Sequence, residues 1–169
     1  MNPVLLMNRE YPSYAIASVG ALLIDNDRIL LIKRRYPPGQ GKWAVPGGVI
    51  EPGETILDAA RRELEEETGL RAKPLGVAAI VETIVLDSEK RVRYHYVIID
   101  VLFDPRTVVG TPRPGTDAED VAWMRIDDAL NRSDVSRTTK ELLKALKTRG
   151  SYLDLVSLVL NPVTVITIR

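Results

Sequence analysis

The sequence of 169 residues contains no cysteine and only one histidine, His95. Disulfide bridges are therefore excluded, and so is a zinc site built from cysteines or from several histidines. Charge of one sign is not in excess either, because basic and acidic side chains both number 23. Proteins that bind nucleic acid or anionic membranes through their bulk charge are usually basic. We therefore expect no nucleic-acid partner and a function that resides in a local site.

Long apolar runs are also missing. No run approaches the roughly 20 apolar residues that cross a bilayer. The first eleven residues lack the basic-then-apolar order of a secretory signal. We expect a cytoplasmic protein with no membrane contact, and the length suits one domain with its own core.

Short apolar segments separated by turn residues predict a sheet with a few inserted helices. Strands are expected at 14–25, 28–33, 42–45, 75–86, 93–103 and 119–125, and helices at 55–68 and 137–147. Thr55 is a natural N-cap for the first helix, and Gly69 lies at its expected C-terminal end. Pro46, Gly47 and Gly48 are expected to end the third of these strands, and 105–115, with three prolines, is expected to be a loop. Strands predominate and do not alternate regularly with helices. This pattern indicates an α+β fold in which helices pack on a mixed sheet.

The last residues form an apolar tail. We expect one domain over 1–150 and a tail over 151–169, in which Val163 to Ile168 alternates like a strand. The tail is expected to pack on its own domain or on a second subunit, and the second case would produce a homodimer.

Three glutamates share one edge of the predicted helix. At about 100° per residue, Glu63, Glu66 and Glu67 fall within an arc of roughly 100°. Carboxylates about 5 Å apart on neighbouring turns repel one another, and a divalent cation removes that repulsion. An all-oxygen ligand set without cysteine or histidine favours Mg²⁺, with Mn²⁺ as a substitute.

Glycines bound the loop that leads into this helix, at 46–48 and 52–54. Together, the loop and the helix resemble the Nudix box, Gly-x5-Glu-x7-Arg-Glu-(aliphatic)-x-Glu-Glu-x-Gly-(aliphatic). Every specified position is filled, by Gly48, Glu54, Arg62, Glu63, Leu64, Glu66, Glu67, Gly69 and Leu70. The order of the flanking strands and helices is similar to that of the family over about 14–147.

The resemblance implies a Nudix fold, with a mixed sheet sandwiched between helices, and a metal-dependent pyrophosphohydrolase activity. In this reaction a metal-activated water attacks a phosphorus of a diphosphate bridge. The matching metal ligands are Glu63, Glu66, Glu67 and the carbonyl of Gly47. Arg62 and Glu54 would orient the glutamates, and Gly48 and Gly69 would be structural. The base would be Glu66, Glu67 or an acid of a later loop, and among Asp117, Glu119 and Asp120 we favour Glu119.

The segment Tyr94 to Asp100 (YHYVIID) looks most similar to small ADP-ribose pyrophosphatases, which release AMP and ribose 5-phosphate. Arginine grips phosphate through two nitrogens, so Arg34, Arg35, Arg91 and Arg93 are candidate phosphate contacts. Tyr36, Trp43 and Tyr94 could stack on a base, although core packing is as good an account of Trp43. For His95 a structural role is the better expectation. Two alternatives stay open: a (d)NTP or dinucleoside-polyphosphate pyrophosphatase, and a Nudix-like domain that senses a nucleotide without cleaving it.

Overall fold

Eight strands and three helices make up the part of the chain that the computed structural model describes, residues 9–148 and 163–168. The strands are β1 (Ile16–Asp25), β2 (Arg28–Arg34), β3 (Trp43–Ala44), β4 (Gly47–Val49), β5 (Arg71–Leu86), β6 (Val92–Val109), β7 (Ala118–Arg125) and β8 (Val163–Ile168). The helices are α1 (Ile56–Thr68), α2 (Ile126–Asn131) and α3 (Arg137–Thr148). None of these helices is long and apolar enough to cross a membrane.

The strands form one mixed sheet. Its order is β3-β2-β1-β6-β5-β8, with β4 paired to β1 and β7 paired to β2. The pairs β1–β6 and β5–β8 are parallel, and the other pairs are antiparallel. The mixed sheet that the sequence predicted is therefore confirmed.

Strand β1 lies at the centre of the sheet and contributes side chains to a hydrophobic core on each face. Because alternate side chains of a strand point to opposite faces, Val19 and Leu23 pack with Leu64 of α1, and Leu22 packs with Leu143 of α3. All five side chains are at most 1% exposed. Helices on both faces thus bury the sheet, which explains why β1 is apolar almost without interruption.

Helix α1 has the two ends that the sequence predicted. The Thr55 side chain caps the first turn by accepting a hydrogen bond from the Asp58 backbone nitrogen at 3.2 Å. Gly69 ends the helix in the left-handed conformation, with φ of 71°. Ala60 and Leu64 are fully buried, and they hold the helix against the sheet.

Three expectations about strand ends were wrong. Strand β6 continues through Pro105 to Val109, where a loop was expected, and β5 contains Pro74. The β5–β6 pairing shifts register near Pro74, and such bulges tolerate a residue without an N–H group. Gly47 and Gly48, expected to end a strand, begin β4 instead, because their backbone pairs with β1.

The end of the chain supplies an edge strand. Val163–Ile168 forms β8, which runs parallel to β5 from Ala79 to Ile84. The tail between 151 and 162 lies outside the described residues. Whether the tail also contacts a second subunit stays a prediction.

Replacing Gly69 with alanine should destabilise the fold more than replacing Gly41. Both glycines have left-handed φ angles, 71° and 74°, so each Gly→Ala variant should lose about 1 kcal/mol of unfolding free energy through backbone strain. A Cβ at Gly69 would lie 2.7 Å from Cγ of Arg113, whereas Gly41 has nothing within 4 Å. Urea unfolding of both variants measures the difference, and equal losses would contradict the role of the Arg113 contact.

Candidate active site

Arg62 of α1 is the centre of a hydrogen-bond network that joins the helix to the glycine loop. Its Nε and Nη2 donate to the two carboxylate oxygens of Glu54 at 2.7 and 2.9 Å. Nη2 also donates to the Val49 carbonyl at 3.1 Å, and Nη1 donates to Glu63 Oε1 at 2.7 Å. Lysine could not make these four hydrogen bonds, because it lacks the planar array of N–H donors of a guanidinium group. The hydrogen bond from Arg62 is the main reason that the pKa of Glu54 falls to about 2.

Gly47 and Gly48 let the backbone of β4 lie directly against α1. The Gly47 nitrogen donates to Glu67 Oε2 at 2.7 Å. A Cβ on Gly48 would lie 2.1 Å from Glu63 Oε1, and a Cβ on Gly47 would lie 2.1 Å from the Val19 carbonyl oxygen. Neither position has room for a side chain, so the box requires glycine at 48 for steric reasons.

Glu63 and Glu67 are acids held largely out of water, with 9% and 7% of their surfaces exposed. Burial raises the pKa of both carboxyls, that of Glu67 to about 8. The negative charge of Asp117 acts in the same direction on both. Arg62 partners Glu63, and the positive charge of Arg34 acts on Glu67. For a buried Glu67 carboxylate, the hydrogen bond from the Gly47 backbone N–H is weak compensation. Burial therefore outweighs the positive charge that the two arginines bring to this pair.

Glu66 lies beside the other two glutamates but is exposed, whereas they are buried. Its side chain is 61% exposed, and its Oε2 lies 3.3 Å from Arg62 Nη1. Within residues 9–148 and 163–168, no three acids or histidines form a ready-made metal cluster, so the expected convergence of three carboxylates is only partly met. The physical reason is that Arg62, one turn earlier, attracts Glu66 toward the helix surface. An exposed side chain of this kind changes rotamer within nanoseconds.

A cleft of about 660 Å³ opens beside these glutamates. We call it the acidic cleft; its acidic and hydroxyl lining residues are Glu10, Glu51, Glu63, Glu66, Glu67, Thr116 and Asp117. Asp117 is the later-loop acid that the fold brings to this cleft. The structure does not bring Glu119 there, because the register of β7 against β2 leaves its carboxylate 3.6 Å from Lys33 Nζ. Asp120 is exposed on the same strand.

Among the predicted substrate contacts, the structure brings Arg34 to the site. The positive charge of Arg34 is one of the influences that lower the pKa of Glu67, and its Nε donates to the Pro38 carbonyl at 2.9 Å. The other candidate arginines contact groups of the protein. Arg35 donates to the Ala118 carbonyl, Arg91 pairs with Asp87, and Arg93 pairs with Glu10 of the acidic cleft. Tyr36 is 55% exposed.

The remaining aromatic and histidine candidates are divided between core and surface. Trp43 is 7% exposed and belongs to the core on the α3 face. His95 Nε2 lies 2.9 Å from Glu82 Oε1, which is the structural pairing expected of it. Tyr94 lines the acidic cleft.

Two residues of the site were missed in the sequence. Arg9 lines both the acidic cleft and a neighbouring cavity, and nothing in its local sequence distinguishes it. Asp100 lines the neighbouring cavity. The available signal was a charged residue inside an apolar strand, VIIDVLF, where a buried acid requires an explanation.

Substituting Arg62 with methionine should return the pKa of Glu54 from about 2 toward its usual 4.5. Because the folded-state pKa is lowered, Glu54 contributes stability above pH 4.5, and this is lost as the pH falls through about 2. The variant should lose that contribution. NMR titration of the Glu54 carboxyl carbon measures the shift. Arg61→Met is the control, because Arg61 pairs with Asp58 on the surface; a pKa of about 2 that persists in Arg62→Met would refute the account.

Comparison with known proteins agrees with this geometry. The family model of the NUDIX domain matches residues 15–146. An ADP-ribose pyrophosphatase of Methanocaldococcus jannaschii is 33% identical over 120 residues, which cover 71% of this chain and 67% of the relative.

Solved structures share the fold. The crystal structure of a MutT NUDIX hydrolase from Burkholderia pseudomallei has 28% identity and a TM-score of 0.67, covering 78% of this chain and 98% of that one. A bifunctional NMN adenylyltransferase/ADP ribose pyrophosphatase from Francisella tularensis, complexed with AMP and a Mn ion, has 29% identity and a TM-score of 0.51. The match covers 75% of this chain and 37% of that one. With the family model matched over most of its length and the box complete, this chain belongs to the Nudix hydrolase family.

Proposed function

We propose that this Nudix hydrolase uses Mg²⁺ to cleave ADP-ribose into AMP and ribose 5-phosphate. The observation that carries the proposal is the pair of buried carboxylates, Glu63 and Glu67, on the wall of an open acidic cleft. The similarity to an ADP-ribose pyrophosphatase, and to a related structure complexed with AMP and Mn, supports the choice of substrate.

The residues present fit a divalent cation. Glu63 and Glu67 provide buried carboxylate oxygens that lack sufficient positive charge, and Glu66 stands at the mouth of the cleft. With the Gly47 carbonyl, they would form an all-oxygen ligand set, which favours Mg²⁺ over zinc. When bound, the cation supplies positive charge that offsets the charge on the diphosphate oxygens during hydrolysis. Arg62 keeps Glu63 in position through its hydrogen bond.

Side chains of the protein accept the proton of the attacking water and bind the phosphates of the substrate. A water oxygen bonds to one phosphorus, the anhydride P–O bond breaks, and its electron pair leaves with the departing phosphate. The water's proton passes to a carboxylate, and we assign that role to Asp117 rather than Glu119 because Asp117 lies in the acidic cleft. Arg34, beside Glu67, is positioned to bind a phosphate of the substrate.

Glu67→Gln should reduce kcat for Mg²⁺-dependent ADP-ribose hydrolysis by at least about a hundredfold while the protein stays folded. Burial already disfavours the charged form of Glu67, and glutamine keeps the same shape, so unfolding free energy should not fall. Release of AMP and ribose 5-phosphate is the assay. Glu65→Gln on the same helix is the control, because Glu65 is exposed and pairs with Arg71 on the surface.

The same assay separates the alternatives. EDTA should abolish turnover and Mg²⁺ should restore it, and activity that survives chelation would remove the metal from the proposal. Preferred cleavage of (d)NTPs or dinucleoside polyphosphates would replace ADP-ribose as the substrate. Binding of AMP without turnover of any of these compounds would indicate a nucleotide sensor.

Asp117→Asn should lower kcat by about 10²- to 10⁴-fold, which is the usual contribution of a general base. Glu119→Gln should leave kcat within a few-fold of the wild-type value, because Glu119 pairs with Lys33. A pH–rate profile accompanies both measurements, since loss of a base removes the acid limb of the profile. The reverse order of effects would return the role to Glu119.

A further inference from the structure

Asp100 is a buried acid that the proposed reaction does not use. It lies in β6 with 2% of its surface exposed. Its carboxyl forms no hydrogen bond or ion pair with any other residue of the described ranges, and burial alone raises its pKa to about 7. An unpartnered buried carboxyl is strongly destabilising. Selection for stability alone would not keep it.

Gly20 makes room for this carboxyl. Gly20 of β1 pairs with Asp100 of β6 across the parallel ladder. A Cβ on Gly20 would lie 1.8 Å from Asp100 Oδ1. The acid therefore lies over a position that only glycine can occupy, and the two residues form one structural feature.

Two buried hydroxyls face the same space. Besides the Asp100 carboxyl, Ser18 Oγ and Thr138 Oγ1 are buried side-chain atoms of the described residues that form no hydrogen bond. Both residues line the cavity that Asp100 lines. The three groups come from β1, α3 and β6, so no local turn explains their meeting. Unsatisfied polar groups gathered around one cavity indicate a ligand that supplies the missing partners.

The cavity has a volume of about 140 Å³, and we call it the Asp100 cavity. Val45 and Ile98 provide apolar walls. This volume is below the roughly 300–1,000 Å³ of a pocket that encloses a whole drug-sized ligand, so it suits one ring system. Gly47 and Gly48 form part of its wall, and the same residues contact Glu67 and Glu63. The Asp100 cavity therefore adjoins the acidic cleft across β4.

We infer that the Asp100 cavity binds the nucleobase of the substrate and that Asp100 accepts a hydrogen bond from an exocyclic amino group of that base. This inference rests on the proposed function, which places the diphosphate in the adjoining acidic cleft. In either protonation state, the carboxyl keeps an oxygen that accepts a hydrogen bond. The Ser18 and Thr138 hydroxyls both donate and accept, so they complement the ring nitrogens.

The chemistry of the walls favours a base over the other parts of the substrate. Arg9 and Arg34 also line the cavity and would attract a phosphate, but the Asp100 carboxylate would repel one from the position that it occupies. A sugar has no flat apolar face to pack between Val45 and Ile98. A purine has two such faces and a polar edge. A base with a carbonyl in place of the amino group would direct an acceptor at Asp100. Above the raised pKa of Asp100, about 7, the carboxylate has no proton to donate to that carbonyl, so the base should be rejected. The two bases are therefore compared at about pH 9.

The matched substrates are ADP-ribose and its inosine analogue IDP-ribose, which differ in the exocyclic amino group and the adjoining ring N–H. Wild-type protein should show a kcat/KM at least about tenfold higher for ADP-ribose. Asp100→Asn, whose amide can donate to the inosine carbonyl, should lower that ratio at least about tenfold. The effect should lie in KM, with kcat changed by no more than a few-fold. Asp104→Asn is the control, because Asp104 lies on the same strand and is already paired with Arg106.

Unfolding by urea distinguishes a binding role of Asp100 from a structural role. Substitution of a structural residue lowers stability, whereas substitution of an unpartnered binding residue does not. Asp100→Asn and Ser18→Ala remove unsatisfied polar groups, so both should unfold at equal or higher urea concentration than the wild type while their KM rises. Asp104→Asn should unfold earlier. Lower stability of both Asp100→Asn and Ser18→Ala, with an unchanged substrate ratio, would overturn the inference.

Calorimetry with AMP and IMP separates this inference from the proposed function. If the wild type cleaves ADP-ribose but neither the ratio nor AMP binding responds to Asp100→Asn, the inference fails and the proposed function stands. If no diphosphate is cleaved yet AMP binds at least about tenfold tighter than IMP, and Asp100→Asn removes the difference, the inference stands and the hydrolase proposal fails.

Discussion

The bidentate ion pair between Arg62 and Glu54 is the interaction on which the rest of the site depends. It joins the loop before α1 to the helix itself, and the same guanidinium reaches the Val49 carbonyl and Glu63. One planar group therefore sets the distance between β4 and α1. The positions of both buried glutamates follow from that distance, because each contacts a glycine of β4.

Strand β4 separates two spaces with different chemistry. On one side lies the acidic cleft, which contains carboxylates and suits a cation and phosphates. On the other lies the Asp100 cavity, which has apolar walls and a few polar groups. The strand can be this thin because Gly47 and Gly48 have no side chains. A substrate that carries both a nucleobase and a diphosphate could therefore place the diphosphate in the acidic cleft and the base in the Asp100 cavity.

The protein keeps acids where folding alone would disfavour them. Glu63, Glu67 and Asp100 are all buried, and burial raises the pKa of each. Elsewhere, a buried acid such as Asp104 is paired with an arginine. Buried acids without a matching positive charge line the acidic cleft and the Asp100 cavity, whereas Asp104 is paired, which is the pattern expected of functional sites.

The sequence by itself determined what depends on neighbouring residues along the chain: helix α1 with its Thr55 and Gly69 ends, the burial of its apolar edge, and the Nudix box. Helix periodicity and capping act over a few residues, so they can be read directly. Tertiary structure alone decided that Asp117 rather than Glu119 reaches the acidic cleft and that Asp100 lies over Gly20. These outcomes depend on strand register and bulges between segments 80 or more residues apart in the chain, such as Gly20 with Asp100 and Lys33 with Asp120, and a one-residue slip reverses the face of every side chain.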